Sequence, residues 1–172
     1  MITPDPKFPE IKLIAPDIHR DNRGWFMEIH REGLGQRYVQ TNLVYFTQRV
    51  LRGLHYQPQR PQGKLYMATQ GDIFQVLVDV RQGSPTFGKS TTVRLSGQDK
   101  NMVEVPPGFM SGSLCTTESA TLLYMTTRFF DPENVIKVNW NDPDLAIKWP
   151  MDYPVLNDAD KNAQSFKEAF CD

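Results

Sequence analysis

The chain is poor in the residues that build most metal and disulfide sites: it has two cysteines and three histidines among 172 residues. Cys115 and Cys171 lie far apart, the second beside the C-terminus, with neither the density nor the spacing of a disulfide framework or a zinc site. His19, His30 and His55 are each isolated. A metal site in a β-barrel usually wants two or three imidazoles and a carboxylate, commonly with an H-x-H pair on one strand. These absences argue against a catalytic metal and favour a reducing, cytoplasmic setting.

Other absences narrow the field further. No apolar run long enough to span a membrane occurs, and Met1-Ile2-Thr3-Pro4-Asp5 lacks a basic segment followed by an apolar core, so neither membrane insertion nor an export signal is expected. The net charge of -1 comes from 19 basic and 20 acidic residues mixed throughout, which leaves no basic footprint for nucleic acid. The glycine loops that cradle phosphates, G-x-x-x-x-G-K-[ST] and G-x-G-x-x-G, are missing. So is the G-x-S-x-G nucleophile motif, because Gly112-Ser113 and Gly83-Ser84 lack its second glycine. An anionic ligand would have to be held by arginine and lysine side chains, and metal-free acid–base chemistry on a small molecule is what remains.

What is present reads mostly as strand. Residues 11–14, 24–29, 64–69, 72–80, 90–95, 102–105 and 120–126 are short runs rich in β-branched and aromatic side chains, each bounded by Gly, Pro, Asp or Asn. Turns are supplied by Gly71-Asp72, Gly83-Ser84-Pro85, Ser96-Gly97-Gln98-Asp99 and Pro106-Pro107-Gly108. The pattern predicts an all-β sandwich or jelly roll rather than an alternating α/β sheet. The length suits one domain over residues 1–172. Helix is expected only at the periphery, around 31–38 and from 160 to 170, where Ala163, Phe166 and Phe170 recur at helical spacing. The segment from Asn139 to Pro154, with Trp140, Trp149, Tyr153 and three prolines, reads as an irregular strap over the barrel.

The stretch Arg52-Gly53-Leu54-His55-Tyr56-Gln57 places a histidine in a glycine-broken, strand-like run. Imidazole titrates near neutral pH, so a histidine fixed on a strand with a carboxylate behind it can act as a base. Taken alone, His55 is more simply read as a structural histidine with satisfied hydrogen bonds.

Around that stretch the chain resembles the nucleotide-sugar 3,5-epimerases typified by dTDP-4-dehydrorhamnose 3,5-epimerase. The landmarks are Asp21 to Glu28, Gln40-Thr41-Asn42, Val50 to Gln57, Pro61-Gln62-Gly63-Lys64-Leu65, Gly83 to Lys89, Pro107-Gly108-Phe109, Leu123 to Thr127 and Trp140 to Leu145. The resemblance implies a cupin-like jelly roll that acts on a 4-keto-6-deoxy nucleotide sugar without any cofactor. The ketone acidifies its neighbouring carbons, so such an enzyme needs a base, an acid across the ring and positive charge near the enolate oxygen. Carried over by position, the resemblance makes His55 the base, Asp160 its carboxylate partner, Tyr124 the acid and Lys64 the charge facing the ketone. Arg52 is implied near the ligand's phosphates, although alternation puts it on the opposite parity from His55. Arg23, Phe26 and Glu28 match positions that help hold the nucleotide, and Gln40 and Asn42 match polar positions in the same cleft. A homodimer is implied as well, with the N-terminal region reaching the neighbour's pocket.

Some positions depart from the family pattern. Ser111 stands where a second active-site histidine is usual, and Phe130 where a tyrosine is usual. Val44 and Phe46 replace two serines after Asn42. Serine can donate a hydrogen bond but cannot carry imidazole's charge. The expectation is therefore retained proton chemistry with an altered ligand or outcome. The alternative is a non-catalytic member that binds a nucleotide sugar or a partner.

Overall fold

A strand with one apolar face must cover that face with a second layer, and the computed structural model, which describes residues 1–33 and 35–171, shows two facing sheets. In chain order the strands are β1 (Ile2–Pro4), β2 (Lys12–Ile14), β3 (His19–Asp21), β4 (Gly24–Phe26), β5 (Gln40–Thr47), β6 (Leu51–Tyr56), β7 (Lys64–Gln70), β8 (Asp72–Asp79), β9 (Ser90–Ser96), β10 (Met102–Val105), β11 (Phe109–Cys115), β12 (Ser119–Thr126) and β13 (Ile136–Lys137). A six-stranded sheet has the order β1-β2-β10-β7-β12-β5 and a five-stranded sheet the order β13-β6-β11-β8-β9, while β3 and β4 form a separate hairpin. The paired strands of these sheets are antiparallel. This is the expected all-β jelly roll. Among the described residues no helix is long and apolar enough to cross a membrane.

The core between the sheets is built by alternate residues. Tyr66 and Ala68 of β7, Ala120 and Leu122 of β12 and Phe46 of β5 meet Ile73 and Leu77 of β8, Leu95 of β9 and Phe109 of β11. The intervening residues cover the outer faces. Leu65, Met67 and Met102 join Met27 behind the six-stranded sheet, and Val76, Val78 and Met110 join Leu54, Leu145 and Phe166 behind the other. Trp149 packs in that second outer layer and donates its indole N–H to the carbonyl of Trp140 at 2.8 Å. The 139–154 segment is thus a strap over the five-stranded sheet, as its composition suggested.

Toward one end of the sandwich the inward positions turn polar. Across the six-stranded sheet, Val44, Leu122 and Ala68 form one cross-strand row, Asn42, Tyr124 and Tyr66 the next, and Gln40, Thr126 and Lys64 the last. Opposite them, β11 presents Ser111 and Ser113. A polar inner face inverts the usual pattern at Gln40 and Asn42 of β5 and at Ser111 and Ser113 of β11, two strands absent from the runs expected above.

The pairing of β6 with β11 slips once. Ser111 lies opposite His55 but Ser113 opposite Arg52, so two steps on β11 match three on β6. The extra residue falls at Gly53, whose φ of +134° is a glycine conformation and whose missing Cβ would lie 2.6 Å from the Gly112 Cα. That bulge overrides parity: Arg52 and His55 line the same pocket. Gly53→Ala is expected to destabilise the protein by about 2–4 kcal/mol through backbone overlap. Calorimetry should then show a melting temperature lower by roughly 4–16 °C, and an unchanged value would contradict this account of the bulge.

Two helix expectations require correction. The described residues of 31–38 are turn and extended chain, because Gly33 and Gly35 adopt φ of +90° and +76°, which a right-handed helix excludes. The helix expected from 160 to 170 is two short ones, α1 (Asp158–Lys161) and α2 (Phe166–Phe170). Between them Gln164 bridges to Val138, and Ser165 restarts the helix with a capping box to Glu168.

Candidate active site

The polar end opens as a pocket of about 370 Å³, within the range of roughly 300–1,000 Å³ typical of ligand sites. On one wall, β6 holds the His55 ring with Nε2 2.7 Å from Oδ1 of Asp160. Asp160 is 1% exposed and sits in α1, which begins when the Asn157 side chain accepts from the Asp160 amide. Its second oxygen accepts from the Gly53 amide at 3.2 Å, so the bulge glycine also aligns the carboxylate. With Nε2–H given to Asp160, Nδ1 of His55 is left as the ring's acceptor, and no hydrogen bond to it is made among the described residues. That is the geometry of an oriented base.

Burial alone would raise the Asp160 carboxyl. The hydrogen bond and charge of His55, the Gly53 amide and the charge of Lys137 more than offset it and hold the group below its ordinary value. Lys137, opposite His55 in β13, stands 3.9 Å from the same carboxylate oxygen. It escapes a sequence reading because a two-residue strand has no pattern to recognise.

The facing wall carries the complementary groups. Lys64 is partly buried, and desolvation lowers its ammonium to about 8, opposed by the charge of Tyr124. Its Nζ donates to Ser111 Oγ at 3.3 Å. Tyr124 projects from the adjacent strand, where burial and then Tyr66 raise its phenol while Lys64 and Arg52 work in the other direction. Arg52 lies over the Phe46 ring at 5.2 Å and forms no ion pair among the described residues. It is a free cation at the pocket wall.

The remaining sequence candidates divide. Asn42, Ser111 and Phe130 line the pocket. Gln40 braces it: its amide donates to Asn42 Oδ1 at 2.9 Å and its oxygen accepts from the Phe130 amide at 3.0 Å. Gln57 and Gln62, which sequence reasoning missed, bond to the backbone of residues 128, 129 and 131 and so fix the segment that presents Phe130. Arg23, Phe26 and Glu28 do not join this group within one chain. Arg23 pairs with Asp21 on the exposed β3–β4 hairpin, and Phe26 and Glu28 line a second cavity with Leu65 and Met102. Leu65 alternates with Lys64, so that cavity lies on the opposite face of the six-stranded sheet. Among the described residues no group of three or more His, Cys, Asp or Glu is placed to hold a metal.

Known proteins share this arrangement of elements. A family model described as dTDP-4-dehydrorhamnose 3,5-epimerase matches residues 5–168. The Pseudomonas aeruginosa dTDP-4-dehydrorhamnose 3,5-epimerase is 41% identical over 171 residues, covering 95% of this chain and 94% of the relative. A Legionella pneumophila dTDP-6-deoxy-D-glucose-3,5-epimerase, solved with dTDP-4-keto-L-rhamnose, superposes with a TM-score of 0.91 at 38% identity, covering 96% of this chain and 92% of that one. A 3'-monoepimerase from Streptomyces bikiniensis, solved with dTDP-quinovose, gives a TM-score of 0.85 at 34% identity, with coverage of 95% and 86%.

Proposed function

The chain belongs to the dTDP-4-dehydrorhamnose 3,5-epimerase family, and from that premise we propose that it epimerises a dTDP-linked 4-keto-6-deoxyhexose by proton transfer between His55 and Tyr124. The observation that carries this is one pocket in which an Asp160-oriented His55 faces Lys64 and Tyr124. His55 Nδ1 takes a proton from a carbon beside the ketone, and the electron pair of the broken C–H bond moves onto the ketone oxygen. The Lys64 ammonium stabilises that oxyanion. Tyr124 then gives its proton to the carbon from the other face, and exchange with water restores the neutral pair. Arg52, without a carboxylate partner, suits the diphosphate of the nucleotide. Residues 1–172 form one epimerase domain, acting in the cytoplasm.

A homodimer completes the site. Leu43 and Tyr45, 67% and 59% exposed on the edge strand β5, stand beside Leu123 and Met125 of β12 and give the outer face an apolar patch that a second copy would cover. In that dimer Arg23, Phe26 and Glu28 reach the partner's pocket to hold the nucleotide. Sedimentation should give about twice the 19.8 kDa mass of the chain, and a monomer at micromolar concentration would contradict this arrangement.

Ser111 favours a second reading, a member that binds the nucleotide sugar without turning it over. Incubation with dTDP-4-keto-L-rhamnose separates the two by NMR. Appearance of an epimer supports catalysis, and saturable binding with the sugar unchanged supports the second reading.

A further inference from the structure

Two hydroxyls in the pocket have no role in the proton transfer described above. Tyr66 is 4% exposed, points inward from β7 between Lys64 and Ala68, and lies beside Tyr124 with ring centroids 5.9 Å apart. Its OH donates to Ser111 Oγ at 2.8 Å, and the Lys64 ammonium donates to the same oxygen at 3.3 Å. A serine oxygen has two acceptor lone pairs and one proton. Both lone pairs are taken, so the remaining capacity of Ser111 is donation, and its proton finds no acceptor among the described residues. Ser111 lines the pocket, and the open direction for that proton is toward a bound ligand.

Ser113 supplies the contrast. On the same strand and the same face, it donates to Gln75 Oε1 at 2.7 Å and keeps lone pairs for the pocket. Neighbouring serines thus present opposite polarities, set by what stands behind each.

We propose that Ser111 is a hydrogen-bond donor to the substrate's ketone oxygen, and that Tyr66 is the positioning residue that fixes this polarity. With Lys64, the Ser111 hydroxyl forms a two-point cradle in which charge developing on the enolate oxygen is met by an ammonium and by a hydroxyl polarised by that same ammonium. Burial raises the Tyr66 phenol, opposed only by its bond to Ser111, so it remains a donor throughout the working pH range. The cradle gives residue 111 a catalytic part that does not need an imidazole. This inference rests on the proposed epimerase reaction.

The test is a double-mutant cycle on the full-length protein, read as steady-state kcat and KM for a dTDP-linked 4-keto-6-deoxyhexose. Ser111→Ala should lower kcat about 10–100-fold with KM within about twofold, because the bond strengthens only as the oxyanion forms. Tyr66→Phe keeps the ring packing and should lower kcat about tenfold. The double variant should be no slower than Ser111→Ala, since Tyr66 acts through Ser111, and Ser111→Thr should recover most of the rate. Full activity in either single variant would overturn the proposal, as would losses that multiply in the double variant, or a loss confined to KM. Should Tyr66→Phe fold poorly, Ser111→Ala against Ser111→Thr, which leave the Tyr66 ring in place, decide the question by the same criteria. An unaltered protein that fails to turn over the ketosugar would overturn the epimerase reading and this inference with it. Turnover in the unaltered protein with indifferent variants would overturn this inference alone.

Discussion

Replacing His55 by alanine should lower the rate of proton exchange at the carbons beside the substrate ketone by about 10²–10⁴, the usual worth of a positioned general base. The loss should be near the top of that range because the pocket holds no spare imidazole. His19 and His30 line the cavity on the far face of the six-stranded sheet, and residue 111 is a serine. Lys64 cannot substitute efficiently, since its ammonium titrates at about 8 and is already bonded to Ser111. The companion variant Asp160→Asn should cost less than His55→Ala. It removes the charge that steadies the imidazolium and permits the wrong ring tautomer, but it leaves the base in place. Steady-state kcat for the two variants checks the order, and a reversal would make the carboxylate the primary base.

Lys64→Met should lower kcat by about 10²–10³, the scale on which removing one oxyanion-stabilising donor is felt. Its pH signature is the stronger check. The protonated ammonium is the stabilising form, so activity should decline as the pH rises through about 8, whereas the acid side is set by His55, which must be unprotonated to act as base. Tyr124 titrates above its ordinary value and does not contribute to that limb. In Lys64→Met the limb should vanish, and a limb that persists in the variant would assign it to another group. The same variant should be more thermally stable. Desolvation is the largest influence on Lys64 and disfavours its charged form, so near neutral pH the folded state bears a cost that a methionine of similar length relieves. A stability gain with an activity loss is expected where charge is buried for catalysis rather than for folding.

How far these features were legible in the sequence follows from where polarity and pattern agree. Strands β7, β10 and β12 were readable because their alternating apolar residues pack between sheets or behind them. β5 and β11 were not, because the pocket reverses the rule: Gln40 and Asn42 point inward while Leu43 and Tyr45 face out. β11 adds a glycine between two inward serines and is buried along its whole length. Strict strand alternation puts Arg52 and His55 on opposite parity. One extra residue at Gly53 puts them on the same wall, and single-strand periodicity has no means of registering a bulge. Tyr66 was accessible in principle, two residues beyond Lys64 on the same face, but an aromatic in an apolar strand reads as core until its hydroxyl partner is seen. Asp160 depends on a short helix far along the chain that returns to β6, a contact that only tertiary structure reveals.

The most direct measurement is to incubate the protein in heavy water with a dTDP-linked 4-keto-6-deoxyhexose and to follow deuterium at each ring carbon by NMR. Label should enter at a carbon adjacent to the ketone, at C3, C5 or both, with no label elsewhere and with entry slowed about 10²–10⁴-fold in His55→Ala. Absence of label at both carbons in the unaltered protein, or label that enters equally well without His55, would contradict it.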